Sequence, residues 1–244
     1  MDSDSLRAKI RLYVDQPLGQ GQPVALSQPQ AHYLANVLRK GPGTPLALFN
    51  SRDGEWRAEL AEIGKRGAVA LCQALAAPQH MPPDLWLIFA PIKKARTDFI
   101  VEKATELGAA RILPVQTEFT NSERIRQDRL QAHAIEAAEQ CGGTFVPEVA
   151  GLQPLARLLE HWPEGRALIF ADESLVDQSR AAVLPSAPAA ILIGPEGGFS
   201  EAERKRLRAM AHIHPLALGP RILRADTAAV AALTLWQSQR GDWG

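Results

Sequence analysis

Two glycine turns separated by one helix constrain this chain more than any other feature of its sequence. They lie in Leu192–Thr227, LIGPEGGFSEAERKRLRAMAHIHPLALGPRILRADT. The first turn, Gly194–Gly198, follows the apolar run Ala189–Ile193, and the second, Gly219–Pro220, follows Pro215–Leu218. Both runs are short, apolar and bounded by turn residues, so they read as buried strands. Between them, Ser200 and Glu203 have the spacing of a capping box and predict a helix start. Two strands that each end in a glycine turn, joined through a helix, build the crevice in which α/β proteins bind ligands. Glycine lets the backbone come close to a ligand and adopt φ > 0.

The preceding sequence divides in two. Up to about residue 76 the turn signals are closely spaced, at Pro17–Gly19, Gly41–Gly43, Asp53–Gly54 and Lys65–Gly67. The runs between them, Pro45–Phe49, Glu55–Ile63 and Ala68–Ala74, predict short strands and a small barrel. A helix is expected over Gln28–Arg39, with His32, Leu34, Ala35, Val37 and Leu38 as its apolar stripe. Residues 77–84 are proline-rich and read as a linker. From 85 to 244 strands and helices alternate. Strands are expected at Asp84–Ala90, Arg111–Val115 and Arg166–Ala171. Helices are expected at Thr97–Leu107, Glu123–Gln140, Leu152–His161 and Thr227–Gln239. Such alternation predicts a parallel sheet covered by helices, an α/β fold. The last helix is apolar on most sides, so it needs to be buried, and a subunit interface is one way to do so.

Composition removes several classes of function. No apolar run approaches the roughly 20 residues that span a bilayer, and MDSDSLRAKIR lacks a signal-peptide core, which points to a cytoplasmic protein. The two cysteines, Cys72 and Cys141, form no CxxC, and the histidines form no cluster with carboxylates or cysteines, so no metal is expected. His212 and His214 share one face if they lie on a strand. GxGxxG and GK[ST] motifs are absent, which disfavours a Rossmann dinucleotide site and a P-loop. Lysine plus arginine equal aspartate plus glutamate at 27 each. The balance is uneven along the chain, however, with nine basic against five acidic residues from Ser5 to His80. A locally basic module is compatible with RNA phosphates.

IGPEGGFS followed by LGPRILRADTA resembles the C-terminal signature of the SPOUT class of RNA methyltransferases. Within that class it is similar to the family that methylates N3 of uridine 1498 in 16S ribosomal RNA. VDQPL and AHYLANVLRKGPGTPLALFN resemble that family's N-terminal domain, and KATELGAARILPV, SER and EAAEQCGGTFVPEV resemble its middle. The resemblance covers nearly the whole chain. It implies a PUA-like RNA-binding barrel over residues 1–76, and a SPOUT methyltransferase domain with a C-terminal trefoil knot over 85–244. It also implies S-adenosylmethionine as cofactor, the small ribosomal subunit as partner and a homodimer through the C-terminal domain. The family has Thr-Glu-Thr after its arginine, and this chain has Ala225-Asp226-Thr227. A ribose or other-base SPOUT enzyme and a noncatalytic RNA-binding assembly factor are the alternatives.

On this resemblance three loops meet around the donor. Phe170, Ala171 and Glu173 come from the first. Ile193, Gly194, Pro195, Glu196, Gly197 and Gly198 come from the second. Leu218, Gly219, Arg221, Ile222, Leu223 and Thr227 come from the third. Arg221, Arg224 and Asp226 are the catalytic candidates, with Glu196 as the rival carboxylate; bracing of the fold is the other role open to the two arginines. Arg7, Arg11, Arg39 and Lys40 are the candidates for RNA phosphates.

Overall fold

The computed structural model describes residues 8–64, 67–121, 124–175 and 183–243. The chain divides into two compact units, Met1–Met81 with Ala138–Val146, and Pro82–Ala137 with Pro147–Gly244.

The first unit is built on strands β1 (Arg11–Tyr13), β2 (Pro23–Leu26), β3 (Pro45–Phe49), β4 (Glu55–Gly64) and β5 (Gly67–Ala77). They form one mixed sheet in the order β1-β3-β4-β5-β2. The β1–β3 pair is parallel and the other pairs are antiparallel. Val24, Leu34, Leu46, Leu48, Leu60 and Ala70 fill the core. Helix α1 (Gln28–His32) opens with a capping box in which Ser27 and Gln30 satisfy each other's backbone N–H groups.

The expected helix over Gln28–Arg39 does not run straight. After His32 the chain widens into a π turn, Tyr33–Val37. That shifts the side-chain register, so Leu34 stays buried whereas His32 and Val37 face solvent.

The second unit is a parallel sheet in the order β12-β10-β11-β6-β7-β8. Its strands are β6 (Leu85–Phe89), β7 (Arg111–Gln116), β8 (Glu148–Val149), β10 (Ala167–Ala171), β11 (Ala189–Ile193) and β12 (Ile213–Leu216). A short β9 (Gln153–Pro154) pairs separately with β7. Helices α2 (Lys94–Glu106), α3 (Gln127–Cys141), α4 (Leu155–Glu160), α5 (Glu201–Arg208) and α6 (Ala225–Arg240) complete the chain. The last residues of α3 belong to the first unit. Glu123, the expected start of that helix, lies outside the described residues.

Strand β11 is buried at every position, as a central parallel strand requires. The last strand lies upstream of its expected place. The expected run began at Pro215, but the ladder to β10 runs from Ile213 to Leu216. Pro215 lacks an N–H, which is tolerated because β12 is an edge strand.

Helix α6 buries Ala228, Ala229, Ala232, Leu233 and Trp236 while packing on α2 and β11. Its apolar character is therefore largely satisfied within one chain. Leu235 remains 39% exposed. No helix among the described residues is long and apolar enough to cross a membrane.

Candidate active site

In parallel α/β sheets the ligand crevice lies at the carboxyl ends of the strands. Here the segments after β6, β10, β11 and β12 converge there with the first turns of α6, around a cavity of about 440 Å³. Of the expected residues, Ala171, Glu173, Ile193, Gly194, Pro195, Glu196, Gly198, Leu218, Gly219, Arg221, Ile222, Leu223 and Arg224 line it.

Four expected residues are placed elsewhere. Phe170 is fully buried and packs edge-to-face on Phe199 with ring centroids 5.0 Å apart, so it belongs to the core. Gly197 lies outside the lining, where a Cβ would come 3.2 Å from the Phe119 Cβ. Asp226 and Thr227 lie in the first turn of α6, because that helix begins at Ala225. Asp226 Oδ1 accepts the Thr227 N–H at 2.9 Å and Oδ2 is 3.8 Å from Arg96 Nε.

The loop after β11 is packed against side chains at each of its three glycines. A Cβ on Gly194 would come 2.6 Å from the Phe199 ring. Gly194 is therefore required by packing behind the loop and not by the cavity. At Gly198, φ is +71° and a Cβ would collide with the Glu173 carboxylate. Glu173 Oε1 accepts from Arg204 Nη1 at 2.8 Å and from the Phe199 N–H at 3.4 Å. It thus lines the cavity while bracing the neighbouring loop. Helix α5 then starts at the expected capping box, with the Glu203 N–H donating to Ser200 Oγ at 3.2 Å.

Five lining residues lie outside the three expected loops, Lys93, Arg96, Leu216, Ala225 and Ala228, whereas Asp172 lines the cavity from within the first expected loop, Phe170–Ser174. Lys93 and Arg96 follow β6, so the strand-end rule applied to that strand would have found them. Arg96 Nη1 lies 3.4 Å from Glu196 Oε1. Asp172 is buried; its Oδ1 accepts the Ser174 N–H at 3.1 Å, and Arg208 pairs with its Oδ2.

The charge balance of the wall follows from these contacts. Asp172 is paired with Arg208, Glu173 with Arg204 and Glu196 with Arg96. Among the described residues no carboxylate pairs with Lys93, Arg221 or Arg224. Among the described residues the lining therefore holds positive charge with no carboxylate partner, which suits a phosphate or an anion that develops during reaction.

The RNA candidates of the first unit separate. Arg39 and Lys40 are exposed, and Arg39 has φ +53°, a costly conformation for a side-chain-bearing residue. Arg11 has a different task from the expected one. It pairs with Glu55 at 2.7 Å and donates to the carbonyls of Ala138, Glu139 and Gly143 at 2.6, 2.9 and 2.8 Å. It satisfies the carbonyls left open where α3 ends and has little left for a phosphate. Arg7 lies outside the described residues. Among the described residues no group of three or more His, Cys, Asp or Glu could hold a metal. His212 stacks on Trp162 with centroids 5.5 Å apart, and burial, then His214, lowers its pKa.

The RNA methyltransferase domain family matches residues 79–237, and the RNA methyltransferase PUA domain family matches 26–71. The ribosomal RNA small subunit methyltransferase E of Rickettsia conorii is 30% identical, over 91% of this chain and 93% of its own length. The chain belongs to the ribosomal RNA small subunit methyltransferase E family. Among solved structures, the family member from Neisseria gonorrhoeae bound to S-adenosyl methionine is 29% identical with a TM-score of 0.85, covering 96% of this chain and 99% of that one. A Legionella pneumophila protein described as a methyltransferase, in complex with bound SAM, is 30% identical with a TM-score of 0.85, covering 96% and 98%. The fold is thus the parallel-sheet RNA methyltransferase fold with an N-terminal PUA-like domain.

Proposed function

We propose that this chain methylates N3 of uridine 1498 in the 16S rRNA of the small ribosomal subunit, in the cytoplasm. The methyl donor is S-adenosylmethionine. The cavity at the strand ends carries this reading. Gly194, Gly198 and Gly219 line it, and a Cβ on Gly219 would meet nothing within 4 Å, which leaves that wall open to a ligand of the donor's class. The donor supplies a methyl on a cationic leaving group and needs little activation.

The harder task is on the acceptor. Uracil N3 carries a proton, and the anion left by its loss spreads onto O2 and O4. Arg221 and Arg224 line the cavity, and no carboxylate among the described residues pairs with either, so their guanidinium forks are suited to stabilise that anion. Glu196 lines the same cavity, and Asp226, outside the lining, has its Oδ2 3.8 Å from the lining residue Arg96. These two carboxylates are the candidates to take the proton.

Arg39 and Lys40 act as docking cations in the PUA-like unit. The catalytic domain pairs as a homodimer, in which the exposed part of α6 around Leu235 is covered, and its C-terminal segment follows the knotted path of the SPOUT class. Mass mapping of 16S rRNA from cells lacking the gene should show unmodified N3 at uridine 1498. A methyl group still present there would overturn the assignment. Deleting residues 1–76 should spare donor binding in calorimetry and abolish rRNA modification.

A further inference from the structure

The turn after β7 carries an exposed aromatic ring for which the cavity has no use. Phe119 is 43% exposed. Its backbone is fixed. The Thr117 N–H donates to Thr120 Oγ1 at 2.9 Å, and the Thr120 N–H donates to the Thr117 carbonyl at 3.2 Å. Both threonines are buried. The Glu118 N–H donates to Glu203 Oε1 at 2.9 Å, and Oε2 of the same glutamate accepts the Ser200 N–H at the start of α5. The turn is thus tied to the helix that the glycine loop leads into.

The ring's own side chain meets that loop. A Cβ on Gly197 would lie 3.2 Å from the Phe119 Cβ, tighter than ordinary contact. Glycine at 197 therefore serves close approach, and it sets Phe119 beside a loop whose adjacent residues, Glu196 and Gly198, line the cavity. A single exposed apolar side chain is ordinary in itself. This one stands on a hydrogen-bonded turn beside the loop that lines the cavity, and Arg124, further along the same segment, is exposed. An aromatic ring close in sequence to an unburied arginine fits nucleic acid better than an apolar protein surface.

We propose that Phe119 is the platform on which a nucleobase of the RNA substrate stacks beside the methyl-transfer cavity. The inference rests on the RNA methyltransferase reading above. A base presented to an enzyme for modification leaves its own stack and loses that stacking energy. Aromatic side chains replace it, and a ring carried on a turn already pinned by hydrogen bonds costs little backbone ordering in doing so.

The test uses the full-length protein with small ribosomal subunits as substrate, comparing wild type with Phe119→Ala, Phe119→Leu and Phe119→Trp. Loss of one stacked base raises KM for the subunit at least about fivefold in the alanine and leucine variants. The tryptophan variant stays near wild type, and donor affinity by calorimetry is unchanged in all three. An unchanged KM for Phe119→Ala overturns the proposal. So does a leucine variant that behaves as wild type, since the contact would then be apolar and not stacked. A change of oligomeric state in light scattering would assign the ring to a subunit interface and would also overturn it. A wild type that methylates no RNA sinks the functional reading and this proposal with it, whereas an active wild type with an unaffected alanine variant sinks this proposal alone.

Discussion

In the turn after β11 an added Cβ would press on Phe199 at Gly194, on Phe119 at Gly197 and on Glu173 at Gly198. In the turn after β12 a Cβ on Gly219 would meet nothing within 4 Å, and only the φ of +102° asks for glycine there. Farther along that second turn Ile222 is 78% exposed, and Arg221 and Arg224 are exposed as well. One wall of the cavity is thus preformed by its neighbours, while at Gly219 of the other an added Cβ meets open space. Sites that bind and release a ligand draw their movable parts from the low-stability end of a fold. The packed turn supplies the rigid reference, and the open turn carries Arg221 and Arg224, with which no carboxylate among the described residues pairs.

The sharpest break of this contrast is Gly198→Val. A β-branched residue at φ +71° is strained, and here it also displaces the Glu173 carboxylate from Arg204 and the Phe199 N–H. Donor binding should be lost in calorimetry, with unfolding stability lower by about 1–3 kcal/mol. A variant that binds the donor normally would show that the packed turn is not a required wall.

The open turn should answer differently, through rate. Arg221→Ala and Arg224→Ala, each with its lysine counterpart, separate charge from the guanidinium fork. At least one position should lose about 10²-fold in single-turnover rate, the size of an oxyanion-type contribution, while donor and rRNA binding survive. If every variant loses only affinity or fold, these arginines brace the structure and do not act in the reaction.

The two turns were not equally legible in the sequence. β11 and the Ser200–Glu203 box stand where the pattern places them, because a continuous apolar run and a cap are local signals. Distance along the chain hides the rest. Arg11 reads as a surface cation until the chain returns at Ala138–Gly143 to take its hydrogen bonds. Phe170 follows the strand pattern into the core, and only its contact with Phe199 shows that it stops short of the cavity. The π turn after His32 shows in neither propensity nor period, since one extra residue in a turn leaves composition unchanged. Lys93 and Arg96 were legible in principle, but their role depends on β6 lying beside β11, which no local pattern states.

A finer comparison sets Gly194→Ala against Gly219→Val. The first drives a methyl into a packed aromatic ring and should cost about 1–3 kcal/mol of stability, as overpacking does. The second meets open space, so the exposed turn relaxes and the unfolding midpoint moves little. Donor affinity should nonetheless fall about tenfold, equivalent to 1.4 kcal/mol, because the backbone that faces the ligand has been displaced. Equal losses of stability in the two variants would erase the distinction between the turns.

The smallest expected effect lies where the two turns are joined. Arg96 faces Glu196 of the packed turn at 3.4 Å and Asp226, just beyond the open turn, at 3.8 Å. Both pairs are long and partly solvated, so each is worth about 0.2–1 kcal/mol and is weakened by salt. Arg96→Ala should therefore leave global stability within about 1 kcal/mol of wild type. Its effect belongs on the geometry of the cavity mouth, since Glu196 and the start of α6 lose their common partner. Donor affinity should fall by a few-fold at low ionic strength, about 5-fold at most for 1 kcal/mol. The gap between variant and wild type should narrow as salt is added, because salt weakens in the wild type what the mutation removes. A double-mutant cycle with Asp226→Asn then measures whether the join is real. Additive losses would mean that Arg96 reaches Glu196 alone, and a coupling of a few tenths of a kcal/mol or more would mean that the rigid wall and the open one communicate through this guanidinium.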